Sequence, residues 1–369
     1  LTGEQVRSRA VGWADRSPCQ ARAIVRPGST DEVSRVLAEC HATGQPVVLF
    51  GGLTGLVQGC VASEHEIALS LERMHRIESI DPIGRTMTVE AGVAIQRIQE
   101  EAEKHGLLYP VDFGARGSAH IGGSAATNAG GNGVIRYGMT RESVLGLEAV
   151  LADGTVIPAM NRMLKNNAAY DVKQLFIGTE GTLGVITRLV LRLRESPRST
   201  QSALVACPTF TDVTRFLKHI DGALGGSLSA FELMWNEFYR LVTTPPSKGT
   251  PPLPQTYDYY VLVESAGGDP TRDQAQFEEA IAAAIEAGLV VDAVVCSSEA
   301  QRDALWALRD DVEGIFRLGM PVAFDVSLPL AEMEGYVTEV VGRLEREWPA
   351  YRRFVFGHLG DGNLHIIAA

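Results

Sequence analysis

The sequence has no uninterrupted apolar run approaching the roughly 18 residues that a membrane-crossing helix requires. Its best stretch, Ile281 to Val295, is broken by Glu286 and Asp292. The N-terminus, LTGEQVRSRAVGW, lacks the apolar core of a secretory signal, so a cytoplasmic setting is the expectation. Cysteine is sparse: Cys19, Cys40, Cys60, Cys207 and Cys296 are scattered with no CxxC pair. That leaves no disulfide framework and no metal-thiolate module, and points to buried thiols in a reducing compartment. Basic residues are outnumbered, 33 against 45 acidic ones, for a net charge of −12. Such a field attracts neither nucleic acid nor an anionic membrane surface. GxGxxG between a strand and a helix, with an acid about 20 residues on, is absent at every glycine cluster, which argues against a nicotinamide dinucleotide held by a Rossmann unit.

With 369 residues the chain is too long for one ordinary core, and two domains are expected. The first is organised around Gly114 to Gly138, where eight of 25 residues are glycine, interspersed with Ser118, Ser124, Thr127 and Asn128. Glycine admits positive φ and close approach of a ligand to the main chain, so this stretch, which shows no helical or strand periodicity, offers amide and hydroxyl donors to an anion. No Asp or Glu lies between Asp112 and Glu142, whereas Arg116, Arg136 and Arg141 do. In an acidic protein such a window suggests a phosphate-bearing partner. A plain glycine-rich surface loop is the competing reading.

Trp13 and Asp15 precede a strand-like Ala23-Ile24-Val25, and Ser29, Thr30 and Asp31 are cap candidates for a helix ended by Gly44. The strand Pro46 to Phe50 empties into Gly51-Gly52-Leu53-Thr54-Gly55-Leu56, a second backbone-rich turn. Strands are expected at Glu66 to Leu71 and Thr86 to Glu90, a helix from Ala94 to His105, and a hairpin from Leu147 to Ile157 turning at Asp153-Gly154. Phe176 to Gly184 is a third glycine-bearing loop, leading into a strand from Val185 to Leu193. The composition break at Glu195 to Thr200 marks the domain boundary. Beyond it, alternating strands and helices, among them one long helix from Glu299 to Leu318, suggest an antiparallel sheet covered by helices on one face. Five prolines between Thr244 and Thr256 suggest an extended surface loop or lid.

Near the end, Gly357-His358-Leu359-Gly360-Asp361-Gly362-Asn363-Leu364-His365 can bring two imidazoles to one side of a hairpin. Zinc and similar ions take histidine nitrogen but need a further ligand, and an ordinary turn flanked by polar residues is the alternative. Arg309, beside Leu305, Trp306 and Leu308, could clamp a carboxylate. It could equally form an intrahelical ion pair with Glu313.

Together these motifs carry a resemblance. GGLTGLV (Gly51 to Val57), PVDFGARGSAHIGGSAATNAGG (Pro110 to Gly131), RYG (Arg136 to Gly138), YDVKQLFIGTEGTLGVIT (Tyr170 to Thr187) and GHLGDGNLH (Gly357 to His365) resemble the FAD-binding superfamily of vanillyl-alcohol oxidase and p-cresol methylhydroxylase, in its D-2-hydroxyglutarate, D-lactate and glycolate dehydrogenase neighbourhood. The implied fold is α+β: a two-subdomain FAD-binding domain over residues 1–195, and over 200–369 an α+β substrate domain with an antiparallel sheet covered by helices. The resemblance implicates Gly51, Gly52, Leu53, Thr54, Gly55 and Leu56 in cofactor binding. From the central stretch it adds Pro110, Asp112, Gly117, Ser118, Ile121, Gly122, Gly123, Thr127, Asn128, Gly130, Tyr137 and Gly138. Glu180, Gly181, Gly184 and Ile186 complete the set. It makes His358 and His365 ligands of a divalent metal, zinc first, and Arg309 the binder of a 2-hydroxy acid's carboxylate. The implied reaction passes a hydride from the α-carbon to flavin N5, with an electron-transfer flavoprotein or quinone as acceptor. A homodimer is compatible with it.

The chain departs from the pattern at four positions. Ala323 stands where the hydroxyglutarate branch has lysine, Glu313 for threonine, Ile367 for asparagine and Leu53 for the asparagine of GGNTG. The family pattern continues past the second histidine to a Glu-His-Gly element, whereas these residues end at Ala369, so the second domain is expected to be incomplete. A non-catalytic FAD-binding or electron-transfer subunit is the competing function.

Overall fold

The computed structural model describes residues 1–12, 17–319 and 321–369; Trp13 and Asp15 lie outside them. The chain divides into two compact units, one formed by Leu1–Gly131 and Tyr137–Ser196, the other by Asn132–Arg136 and Pro197–Ala369.

In the first unit, Glu4–Arg7 (α1) is followed by Ala23–Val25 (β1), Thr30–Thr43 (α2), Val47–Phe50 (β2) and Ile67–Ser70 (β3). These strands form a three-stranded parallel sheet in the order β1-β3-β2. Ser29 caps α2 by accepting from the amide of Glu32, and Gly44 closes it at φ 66°. Next come Ile77–Asp81 (β4), Thr86–Glu90 (β5), Ile95–Glu103 (α3), Leu107–Leu108 (β6) and Ile121–Ala126 (α4). Val134–Tyr137 (α5) bridges the two units in sequence. Thr140–Ser143 (α6), Val144–Val150 (β7), Val156–Ala159 (β8), Val185–Arg192 (β9) and Arg194–Glu195 (β10) complete the first. A five-stranded antiparallel sheet, β4-β5-β9-β7-β8, shares a core with α2, α3 and α4 through Val33, Val89, Ile98, Ile121 and Leu189. The central glycine stretch thus holds a short helix that its composition did not announce: Ile121 and Ala125, one turn apart, are both buried.

The second unit begins with Ser199–Cys207 (β11), Phe210–Leu224 (α7), Leu228–Trp235 (β12), Asn236–Thr243 (α8) and Tyr259–Gly267 (β13). Pro270–Glu286 (α9), Asp292–Val295 (β14), Glu299–Asp310 (α10) and Glu313–Phe316 (α11) follow. Val322–Ser327 (β15), Leu330–Glu347 (α12), Arg353–Gly357 (β16) and Asn363–Ala368 (β17) end it. Seven strands form one antiparallel sheet in the order β14-β11-β13-β12-β16-β17-β15.

Helices cover both faces of that sheet, not one. Ala203, Val205, Phe231 and Val263 pack with α7, α9 and α12. Leu204, Ala206, Met234 and Leu262, alternating with them, pack with α8, α10 and α11. The apolar run Ala203 to Cys207 in β11 is what a strand segment buried on both sides requires.

One further expectation fails here, and another, the proline-rich surface loop, holds only in part. The helix from Glu299 to Leu318 is interrupted, because Asp311 takes φ −75° and ψ 51°, outside the helical region. The proline-rich segment is pinned down: the Tyr239 hydroxyl donates to the carbonyl of buried Leu253 at 2.9 Å and accepts from its amide at 3.1 Å. Gln255 donates to Thr243 Oγ1 at 2.8 Å.

Candidate functional site

The first unit contains a cleft of about 340 Å³. The turn after β2 supplies Gly51, Gly52, Leu53, Thr54 and Gly55; the α4 region supplies Gly122, Gly123, Thr127 and Gly130; the loop before β9 supplies Glu180, Gly181 and Gly184, and the start of β9 supplies Ile186. Three glycine-bearing segments far apart in sequence therefore meet around one space. They can approach because their side chains are missing. A Cβ on Gly52 would lie 1.9 Å from the carbonyl oxygen of Ser118, and one on Gly131 would lie 1.8 Å from that of Asp112. Three non-glycine residues of these segments adopt left-handed backbone, Leu53 at φ 56°, Asn128 at 50° and Glu180 at 53°. Strain of this kind concentrates where a backbone is shaped for a ligand.

The remaining candidates are not in the cleft wall. Leu56 is exposed, Pro110 and Ile121 are buried, and the carbonyl of Ser118 abuts Gly52. Asp112 accepts from Arg116 at 2.7 Å and from Gln99 at 3.2 Å, and Gly117 lies beside Gln96. Asn128 accepts from the amide of Arg141 at 2.9 Å, Gly138 turns at φ 76°, and Tyr137 sits where the chain passes between the units.

The three arginines of the acid-free window have protein partners. Arg116 pairs with Asp112, Arg136 donates to the carbonyls of Ser227 and Ala266, and Arg141 donates to those of Gln174 and Ile177. The electropositive reading of that window is thereby replaced by a structural one: its guanidinium groups tie loops together, and donors to an anion come from backbone.

The cleft also has contributors that were not among the expected site residues. Leu49, Leu71, Val57 and Phe113 make it apolar, and His120 lines it with a buried Nδ1 that has no hydrogen-bond partner among the described residues. Burial holds the His120 pKa below its ordinary value. A cleft with apolar walls, glycine backbone and one unsatisfied ring nitrogen fits a large planar, phosphate-bearing cofactor.

In the second unit, strand register assembles a polar cluster. β16 and β17 pair Phe356 with His365, and β15 and β17 pair Asp325 with His365. His358 follows β16 directly, and its ring centroid lies 5.3 Å from that of His365, the planes at 87°. The carboxylate of Glu232, on β12, lies against both His358 and Arg309: Oε1 is 2.8 Å from His358 Nδ1 and Oε2 accepts from Arg309 Nε at 2.8 Å. Arg309 also lies over the Phe356 ring, 5.0 Å from its centroid. The ion pair with Glu313 is not formed, since the helix breaks between the two residues.

Burial pushes the Glu232 carboxyl up, but Arg309 and then His358 outweigh it and hold it below its ordinary value. His358 is pulled down by burial and raised further by Glu232, for a net rise. His365 is lowered to about 4 by burial and by Arg309, which keeps its imidazole neutral with a lone pair available. Asp361 is raised by burial to about 6.

The arrangement suits half of a donor set. A carboxylate on one ring nitrogen of a metal-binding histidine orients the other toward its ion, and Glu232 stands in such a position against His358 Nδ1. Two imidazoles on one tetrahedral ion, each about 2.1 Å away, have centroids roughly 5 Å apart. Among the described residues no third His, Cys, Asp or Glu joins them. Glu232 itself went unnoticed in the sequence because β12 did; the signal was a lone acid inside the apolar run LSAFELMW.

Residues 21–159 match the model of the FAD binding domain, and residues 196–369 that of the FAD linked oxidases, C-terminal domain. The mitochondrial D-2-hydroxyglutarate dehydrogenase of Bos taurus is 38% identical over 98% of this chain and 66% of its own length. The D-2-hydroxyglutarate dehydrogenase of Xanthomonas citri is 38% identical over 96% of this chain and 74% of its own. The chain thus spans about two thirds of the length of the relatives it matches. Among solved structures, p-cresol methylhydroxylase with bound substrate superposes with a TM-score of 0.77 at 14% identity, covering 99% of this chain and 78% of that one, a likeness of fold. The cytoplasmic expectation is overturned: the Bos taurus and Rattus norvegicus relatives are mitochondrial. No helix among the described residues is long and apolar enough to cross a membrane.

Proposed function

The chain belongs to the FAD-binding superfamily of vanillyl-alcohol oxidase and p-cresol methylhydroxylase, among the relatives of D-2-hydroxyglutarate and D-lactate dehydrogenases, and on that premise we propose that it oxidises a D-2-hydroxy acid to the 2-oxo acid. The observation that carries the reading is the convergence of Arg309, His358 and His365 around Glu232. A permanent cation and two metal-competent imidazoles are what an α-hydroxy carboxylate needs at its two oxygen functions.

When bound, FAD supplies the two-electron acceptor for the α-hydrogen, and a divalent cation, zinc being the ion that imidazole nitrogen suits, supplies the charge that makes the α-hydroxyl easier to ionise. The backbone of Gly51–Gly55, Gly122, Gly123 and Gly181 would hold the cofactor's pyrophosphate, and His358 and His365 the cation. Arg309 has its Nε committed to Glu232, with Asp310 Oδ1 4.0 Å from Nη1, and its terminal nitrogens would meet the substrate carboxylate. An electron-transfer flavoprotein or a quinone would serve as the electron acceptor.

Ala323 and Glu313 remove a cation and add an acid relative to the hydroxyglutarate pattern, so D-2-hydroxyglutarate gains no clear preference over a neutral-tailed acid such as D-lactate. Anaerobic mixing of full-length, metal-replete protein with D- and L-2-hydroxy acids tests both statements. Bleaching of the flavin absorbance by D-acids is expected. No bleaching by any acid overturns the activity, and a strong preference for the dicarboxylate overturns the specificity.

A further inference from the structure

We propose that Glu232 is the positioning residue that joins carboxylate recognition to metal binding, by holding Arg309 and fixing the tautomer of His358. The inference rests on the reading of Arg309 and His358 given above.

Glu232 sits in the middle of β12, its side chain 1% exposed, with each carboxylate oxygen given to a different partner. The partners lie 77 and 126 residues away in the chain, so this carboxylate is where α10 and the loop after β16 are brought into one register. Arg309 is a donor at every nitrogen and has no acceptor. Its Nε–H therefore must point at an oxygen. Imidazole is different: Nδ1 can carry the hydrogen or accept one, and only a carboxylate or carbonyl opposite it makes Nδ1 the donor. With Glu232 in place, Nδ1–H faces Oε1 and the Nε2 lone pair is directed away from the carboxylate. His365 has no equivalent; its Nδ1 is 3.6 Å from the exposed Asp325.

This asymmetry makes a specific prediction for Glu232→Gln. The amide has one oxygen and one NH2 where the carboxylate had two oxygens. Arg309 can only be answered by the oxygen, so the NH2 turns to His358 Nδ1, which becomes an acceptor and moves the ring hydrogen to Nε2. The nitrogen meant for the ion is then blocked, although size, packing and the Arg309 contact are retained. A purely structural role for Glu232 predicts no such change.

The test uses full-length, FAD-loaded protein. Long-range 15N–1H spectra of 15N-histidine-labelled protein report the His358 tautomer, and calorimetric titration with zinc alone reports affinity. Expected for Glu232→Gln are an Nε2–H tautomer at His358 and zinc binding about 10–100-fold weaker. Glu232→Asp, which keeps two acceptor oxygens, should restore Nδ1–H. Glu264→Gln, removing a half-buried carboxylate of β13 that binds Trp306 and Ser202, should change neither readout. An unchanged tautomer in folded Glu232→Gln overturns the proposal. If the parent protein oxidises no hydroxy acid, the tautomer shift still decides the role of Glu232, so the two failures are distinguishable.

Discussion

Glu232 accepts the Nε–H of Arg309 at 2.8 Å with both side chains almost wholly buried, 1% and 5% exposed. Removing one member of such a pair leaves an uncompensated charge in a dry environment, at a cost of about 3–5 kcal/mol, whereas replacing both by apolar groups of similar volume is far milder. Glu232→Ala should therefore destabilise the second unit by that amount, and the double substitution Glu232→Met with Arg309→Met should recover most of it. Trp235, Trp306 and Trp348 all lie in that unit, so urea unfolding followed by tryptophan fluorescence reads the effect. A single variant within about 1 kcal/mol of the parent would contradict the account.

The approach of Gly52 to Ser118 makes a second prediction. A methyl group 1.9 Å from a carbonyl oxygen cannot be accommodated without separating the loops that wall the cleft. Gly52→Ala should lose bound FAD on gel filtration, visible as lost flavin absorbance. Gly222→Ala, in α7, whose added carbon would meet nothing within 4 Å, should keep it. Equal retention in the two variants would mean that the loops do not need their close contact.

Leu53 adopts φ 56° in the wall of the same cleft. Left-handed backbone costs an ordinary L-residue roughly 1–2 kcal/mol and asparagine less. Leu53→Asn should stabilise the first unit by about 0.5–1 kcal/mol, measured as a shift of the denaturation midpoint. A destabilised variant would show that the apolar contacts of Leu53 outweigh its backbone strain.

Glu72 ties Arg9 and Arg26 together, at 2.7 and 2.9 Å. The hydrogen bond from Arg9 is the largest influence holding its carboxyl below its ordinary value. A carboxyl depressed in the folded state contributes stability above its unfolded value and loses it as pH falls through the folded one. Unfolding free energy should thus fall as pH drops below about 4.5, and Glu72→Gln should flatten that part of the profile. An identical acid limb in the variant would remove Glu72 from the explanation.

How much of this was legible beforehand follows from how far apart the interacting residues are. Ser29 and Gly44 bound α2 where their types predict, because capping is settled within a turn of helix. The three glycine loops could be marked as backbone-rich, since glycine's freedom is intrinsic to the residue. The α4 helix was not, because small residues carry a weak periodic signal that only the buried contacts of Ile121 and Ala125 complete. Nor was the break at Asp311, where a strongly amphipathic pattern continued through a residue that the fold turns aside.

Residue types alone determined that a glycine-lined segment could offer backbone donors at close range, that Arg309 would be a permanent donor, and that two histidines seven apart flank a tight turn. The tertiary structure decided which acid answers Arg309. From the sequence Glu313 was the near candidate, one helical turn on; the partner is Glu232, from a strand that pairs with β16 and β13. It likewise turned Arg116, Arg136 and Arg141 from candidate ligand contacts into internal ties. The physical reason is common to both: the chemistry of a side chain is local, whereas its partner is set by strand register and helix packing between residues tens to more than a hundred positions apart.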